Sequence, residues 1–311
     1  MSGNFHFFIL QKVMKEKRVY LQLFILREMR ILRVTFTTFK GVRELNEDSI
    51  IINDKISIYG VADGVSSLTP FISKEGYTGG YIASNEVKQY FESQTTYNSF
   101  TNDLFTINNK LYRKMKEYNI DILKKEQLWG TALAVVKVSD TYVDFIQMGD
   151  CMVLALYQNN EVRPLTRIQT SNVENAAIAK WKDMIDKGIR NREDLFENVK
   201  DILISNRQKS NTLDGYGVLN GENQALDYVE SGKINRIGLK HLILLTDGMF
   251  LPAESIPNSI NYWNYVVECI LSKGIEKYTR DLIDLEETDP ECVRFPRFKK
   301  SDDKTGMMIS F

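Results

Sequence analysis

From Ile31 onward apolar and polar side chains alternate, the period of a half-buried strand, and two β-rich runs follow at Ile50 to Ile52 and Ile56 to Val61. Tyr77 to Phe91 and Asn102 to Tyr118 place their apolar residues at helical spacing instead. They predict two helices, the second capped by Asn102 with Asp103 in its first turn. Strand patterns return at Thr131 to Val138, Tyr142 to Met148 and Met152 to Tyr157. The turn-forming pairs Ser139-Asp140 and Gly149-Asp150 separate them, which predicts an antiparallel meander. The stretch from Thr166 to Gly221 is more polar and irregular and predicts a flap with one helix, Glu174 to Lys187. A final block predicts a strand at His241 to Thr246, helices near Tyr262 to Leu271 and Glu276 to Leu285, and a last strand at Gly306 to Phe311. Strand blocks set apart from helix pairs imply two packed sheets with helices outside, an α+β fold more than an alternating α/β one.

The first 28 residues break this pattern. Two apolar bursts, Phe5 to Leu10 and Val19 to Leu26, are separated by the basic run Lys12 to Arg18. A membrane span needs about 20 apolar residues, so the run excludes a transmembrane helix, and no small-residue cleavage site marks a secretory signal. Residues 1–28 read as an N-terminal extension, disordered, weakly docked or outside the native chain, with an interfacial amphipathic helix as the sharper alternative. Met29 is an alternative start, and 29–311 reads as a single domain carrying the flap around 166–221.

Composition narrows the chemistry. With Lys+Arg 40 against Asp+Glu 41 the net charge is -1, which leaves no basic field for nucleic acid. Cys151, Cys269 and Cys292 are odd in number and far apart, so neither a disulfide framework nor a zinc knuckle is implied, and a reducing, cytoplasmic setting fits. His6 and His241 are the only histidines. A Ser-His-Asp triad or a His-rich metal site is therefore excluded, and any metal must be held by oxygen.

Acids cluster where strands are predicted to end. Glu47 and Asp48 lie in GVRELNEDS, Asp63-Gly64 ends ISIYGVADG, Asp150 follows Gly149, Asp247-Gly248 ends HLILLTDG, and Asp302-Asp303 precede TGMMISF. A carboxylate at a strand terminus projects from a rigid element into the mouth of the fold, and several converging there coordinate Mg²⁺ or Mn²⁺. One Asp-Gly pair alone would be ordinary turn chemistry.

The ordered set GVRELNEDS, VADGVSS, WGTAL, FIQMGDCMV, LILLTDG and SDDKTGMMI resembles the metal-dependent protein serine/threonine phosphatases of the protein phosphatase 2C type, over roughly residues 34 to 311. LDGYGVLNGE is similar to a segment of bacterial members. The resemblance implies a central antiparallel β-sandwich flanked on both faces by helix pairs, in four layers α-β-β-α, with a two-metal centre at one end. It implies that Asp63 bridges two Mn²⁺ or Mg²⁺ ions, with Glu47 and the Gly64 carbonyl on one and Asp247 and Asp302 on the other. Asp48 matches the acid supporting this shell and Arg43 the arginine that binds phosphate through its planar fork; a surface salt bridge from Arg43 to Glu44 or Glu47 is the plainer reading. The implied substrate is phosphoserine or phosphothreonine on a protein, with a serine/threonine kinase or its targets as partners and a monomeric chain.

Three departures stand out. Val65-Ser66-Ser67 follows Asp63-Gly64, where eukaryotic members often carry a histidine and bacterial ones a Gly-Gly pair, so no histidine protonates the leaving group from there. Cys151 replaces the usual serine after Gly149-Asp150. Leu251 occupies a position that is aspartate in many members, which takes one ligand from an optional third metal and leaves Asp150 as its remaining acid. The alternative function is a catalytically weak or inactive regulatory module that keeps the fold; retention of Glu47, Asp63, Asp247 and Asp302 favours activity.

Overall fold

The computed structural model describes residues 32–311, and the N-terminal extension 1–28 lies outside the described residues. Ten strands form two antiparallel sheets. In the first, β1 (Arg33–Phe39), β10 (Lys304–Ser310), β9 (Leu239–Leu245), β6 (Met152–Tyr157) and β7 (Val162–Pro164) lie in that order. In the second, the order is β2 (Ser49–Asn53), β3 (Ile58–Val65), β4 (Gly130–Val138), β5 (Tyr142–Met148) and β8 (Glu230–Asn235).

The two-residue period of each strand divides its side chains between two cores. Val61, Ala134 and Val136 meet Val153, Leu242, Leu244 and Met307 between the sheets. Their neighbours Ala62, Leu133 and Val135 point the other way, onto α1 (Gly79–Ser93) and α2 (Phe100–Glu117). On the far side Leu154, Ile243 and Leu245 pack against α5 (Tyr262–Lys273) and α6 (Ile275–Glu287). Because both faces of the central strands are covered, these strands read as continuous apolar runs instead of alternating ones. The four-layer α-β-β-α architecture follows from that burial.

Three local expectations are corrected. The meander breaks after β5: β4 and β5 pair, but β6 pairs with β9 and β7 in the opposite sheet. The chain changes sheet at Gly149, whose φ of 80° favours glycine and where a Cβ would come within 2.6 Å of the Ala132 side chain. The flap holds two helices where one was expected: α3 (Ser171–Asp186) matches the expected helix, α4 (Arg192–Gln208) packs against it through Ala177, Trp181, Leu195 and Val199, and 209–221 is irregular. The cap of α2 is Ser99, whose Oγ accepts from the Asn102 backbone N–H at 3.3 Å, while Asp103 does lie in the first turn.

Candidate metal centre

The acids singled out in the sequence arrive at one end of the sandwich from five chain segments. Asp63 is in the last turn of pairing of β3, opposite Ala132 of β4. Asp247 follows β9 in a short 3₁₀ turn, Asp302 and Asp303 immediately precede β10, and Asp150 is in the turn that changes sheet. Glu47 and Asp48 close the loop between β1 and β2.

Hydrogen bonds hold these segments in place. Asp303 accepts from the Gly41 N–H and the Glu47 N–H, both at 2.7 Å, and so fastens the loop bearing Arg43 and Glu47 to the start of β10. The Thr246 hydroxyl donates to Asp48 at 2.8 Å, and the Thr131 hydroxyl donates to the Asp63 carbonyl at 2.7 Å.

In the Asp63-Gly64 and Asp247-Gly248 pairs the glycine permits close packing of backbone. Neither Gly64 nor Gly248 has a positive φ. A Cβ on Gly64 would fall 2.4 Å from the Gly80 carbonyl oxygen and 2.5 Å from that of Glu47; one on Gly248 would fall 1.8 Å from the Asp303 carbonyl oxygen. Gly64→Ala should therefore destabilise the protein by about 1 to 3 kcal/mol or more, since backbone must move to admit the methyl group. Chemical denaturation of the purified variant measures this.

Electrostatically the cluster lacks positive charge. Asp48, Asp63, Asp150 and Asp247 all lie above the usual carboxylate range, first because burial disfavours their charged forms and then because they repel one another. Asp247 Oδ1 is buried with no hydrogen-bond partner. Two cations from the chain meet this field. Lys299 Nζ lies 2.7 and 2.6 Å from the two Asp302 oxygens. Burial would raise Asp302, but this ammonium holds it below its ordinary value; Lys299 in turn is kept protonated, against burial, by Asp302, Asp247 and Asp63. Arg43 pairs with Glu47, the plainer reading of that arginine, and the Ser66 hydroxyl donates to the other Glu47 oxygen at 2.6 Å.

Among the described residues no three Asp, Glu, His or Cys side chains are arranged to hold a metal ion as they stand. Glu47 and Asp302 are occupied by Arg43, Ser66 and Lys299. The donor set nevertheless fits a hard divalent cation: oxygen ligands, excess buried negative charge and the unpartnered Asp247 Oδ1.

Two members of the site escaped the sequence reading. Glu174, in the first turn of α3, is pushed up to about 7 by burial and by the charge of Asp247. Nothing in its local sequence ties it to the strand-end acids; only the docking of α3 does. Lys299 had a signal, its position three residues before Asp302, but no periodic element to place it. The sign of the pH effect follows. A carboxylate raised on folding costs no stability below its unfolded pKa, and the cost grows as pH rises through the folded value. Chelator-treated protein should lose stability between about pH 4.5 and 7, by up to roughly 3 kcal/mol from Glu174 alone. Melting curves across that range, repeated with Mn²⁺ to offset the loss, test it.

A family model described as protein phosphatase 2C matches residues 42–284, which includes Arg43 through Asp247 but ends before Asp302. No curated protein matches the sequence. Among solved structures the chain is similar to the serine/threonine phosphatase Stp1 from Staphylococcus aureus, at 16% identity and a TM-score of 0.52, covering 90% of this chain and 95% of that one. It is similar to PppA, a regulatory component of the type VI secretion system in Pseudomonas aeruginosa, at 13% identity and a TM-score of 0.54, covering 90% and 98%. It is also similar to the catalytic domain of the serine/threonine protein phosphatase PstP in complex with two manganese ions, at 15% identity and a TM-score of 0.51, covering 90% and 97%. Such identities establish the shared fold, and the family match over most of the chain, joined to a four-layer sandwich with acids gathered at one end, places the chain in the protein phosphatase 2C family of protein serine/threonine phosphatases.

Proposed function

We propose that this chain hydrolyses phosphoserine and phosphothreonine esters on proteins at a centre of two Mn²⁺ or Mg²⁺ ions held by Glu47, Asp63, the Gly64 carbonyl, Asp247 and Asp302. The observation that carries the reading is the gathering of Asp63, Asp247, Asp48 and Asp150, buried and mutually repelling, at the strand ends, an arrangement that bound cations would neutralise. Bound metal supplies a water acidic enough to act as nucleophile near neutral pH and neutralises charge on the phosphoryl group.

The chain's own groups do the rest. Asp48, fixed by Thr246, buttresses the neighbouring Glu47. Arg43, on the exposed loop ahead of β2, presents a planar fork to two phosphate oxygens, which orients the ester. Ser66 directs its proton to Glu47 and accepts from the Gly80 N–H at 3.3 Å, so it positions Glu47, and solvent is left to protonate the leaving group. Leu251 packs with Phe250 and Trp263 and offers no oxygen, so a third cation would rest on Asp150 and bind weakly.

Arg43→Ala should lower kcat/KM by about 10²-fold while Mn²⁺ affinity changes little, because the guanidinium meets phosphate and not the cations. Calorimetric Mn²⁺ titration beside phosphopeptide kinetics separates the two. Loss of metal binding along with turnover would make Arg43 a structural partner of Glu47 instead.

The second reading, a catalytically silent module, draws on Lys299 and Arg43 covering two of the acids. Turnover of an aryl phosphate and of a phosphothreonine peptide with Mn²⁺, abolished by chelator, decides for the phosphatase; absence of turnover decides for the module. The partner is a phosphoprotein, in our reading one made by a serine/threonine kinase, met by a monomeric chain. No helix among the described residues is long and apolar enough to cross a membrane. The three free cysteines support a cytoplasmic setting.

A further inference from the structure

A cavity of about 320 Å³ opens from the acid centre. Asp247 and Asp302 line it together with the apolar Ile178, Phe250, Leu251 and Phe298, and with further charged groups that include Glu174 and Arg297. Its walls come from three places: helix α3, the turn after β9, and the segment leading to Asp302. On α3, Glu174 and Ile178 are one turn apart and face the cavity, whereas Val173, Ala177, Trp181 and Met184 form the buried stripe of the helix. Ile178 thus stands half-buried against open space.

The walls are held before any substrate arrives. Trp181 Nε1 donates from α3 to the Cys292 carbonyl at 2.9 Å. Arg297 donates to Asp289 Oδ2 at 2.9 Å and to the Glu286 carbonyl at 3.0 Å, which anchors the segment carrying Phe298 to the end of α6. Lys299 also lines the cavity, its ammonium on Asp302.

We infer that this cavity is a substrate subsite that takes a large apolar side chain flanking the phosphorylated residue, an inference that rests on the phosphatase reading above. The same cavity is lined by two carboxylates of the reaction centre, so a peptide whose phosphate lies at the acids has its neighbouring residue within reach of the apolar lining side chains. The size agrees. At the lower bound of about 300 Å³ for pockets that take whole ligands, this one has room for one large side chain together with its adjoining backbone. Leu251 contributes an aliphatic side chain to this wall beside Phe250 and Ile178, which favours aliphatic or aromatic contact there.

The test uses phosphothreonine peptides identical except for Leu, Phe, Ala or Ser at each position adjoining the phosphothreonine, assayed with Mn²⁺ beside an aryl phosphate, which has no flanking residue and reports turnover alone. At one of the two positions Leu or Phe should lower KM roughly tenfold relative to Ala, with kcat nearly unchanged. In Ile178→Ser the ratio of kcat/KM for the Leu and Ala peptides should fall toward one. Equal KM values across the series in the unaltered protein overturn the inference, as does a Leu preference that survives in Ile178→Ser. If neither the peptides nor the aryl phosphate is hydrolysed, the phosphatase reading falls and the subsite with it; hydrolysis without preference removes the subsite alone.

Discussion

Asp63→Asn should reduce turnover by on the order of 10³-fold or more and leave the fold intact. In the metal-dependent reading this side chain contributes negative charge to both cations, so an amide in its place weakens both and leaves their water less acidic. The same change has the opposite effect on the chelated protein. Asp63 is raised by burial first and by Asp247, Asp48 and Asp150 next, so a neutral amide removes repulsion that the folded state otherwise bears. The variant should therefore melt at a higher temperature than the unaltered chain in chelator, and gain less on adding Mn²⁺. Calorimetry with and without Mn²⁺, run beside the activity assay, reads both signs. Near-normal turnover in the variant would remove Asp63 from the centre, and a lower melting temperature in chelator would mean that its carboxylate is a structural anchor.

Lys304→Met should destabilise the chain by about 3 to 5 kcal/mol. The Lys304 side chain is fully buried, with Nζ 2.7 Å from Glu286 Oε2, 2.9 Å from Ser301 Oγ and 3.0 Å from the Asp302 carbonyl. Replacing the lysine leaves the largely buried Glu286 carboxylate with the Ser301 hydroxyl as its remaining hydrogen-bond partner. Most of the loss is this uncompensated charge and not the pair's own attraction. The double variant Lys304→Met with Glu286→Gln should consequently recover part of the stability lost in the single one. Urea unfolding of the three proteins gives the comparison, and additive losses would mean that the two groups act independently. The pair also concerns the site, because it fixes the backbone from which Asp302 and Asp303 project; the single variant should weaken Mn²⁺ binding even where it remains folded.

Much of the fold could be read from periodicity. The central strands and five of the six helices carry enough apolar residues at period 2 or 3.6 to be placed within a few positions, as β5 (Tyr142–Met148) and α1 (Gly79–Ser93) illustrate. The elements that escaped are short or weakly patterned. β7 has three residues, and β8, an edge strand, alternates charged and small side chains with Ile234 as its one buried member. α4 fully buries only Leu195, Val199 and the polar Asn206, and its stripe of partly covered Phe196, Ile202 and Leu203 is interrupted by charged residues, so it merges with the polar flap around it.

What the sequence by itself determined is the set of acids and their setting: apolar strands that run directly into Asp63, Asp247 and Asp150 have to release those carboxylates at strand ends, whichever sheets form. It also determined that any metal is held by oxygen, since only two histidines are present. Which strands neighbour which was decided by tertiary structure. β6 is apolar on both faces, and such a strand is locally indistinguishable in either sheet; it joins β9 because the β5–β6 turn crosses the sandwich at Gly149, and that crossing brings Asp150 to Asp247. The same holds for Glu174 and Lys299. Their local sequence is that of an ordinary helix turn and an ordinary charged loop, and they enter the centre through the docking of Trp181 onto Cys292 and the anchoring of Arg297, long-range contacts that no local pattern encodes.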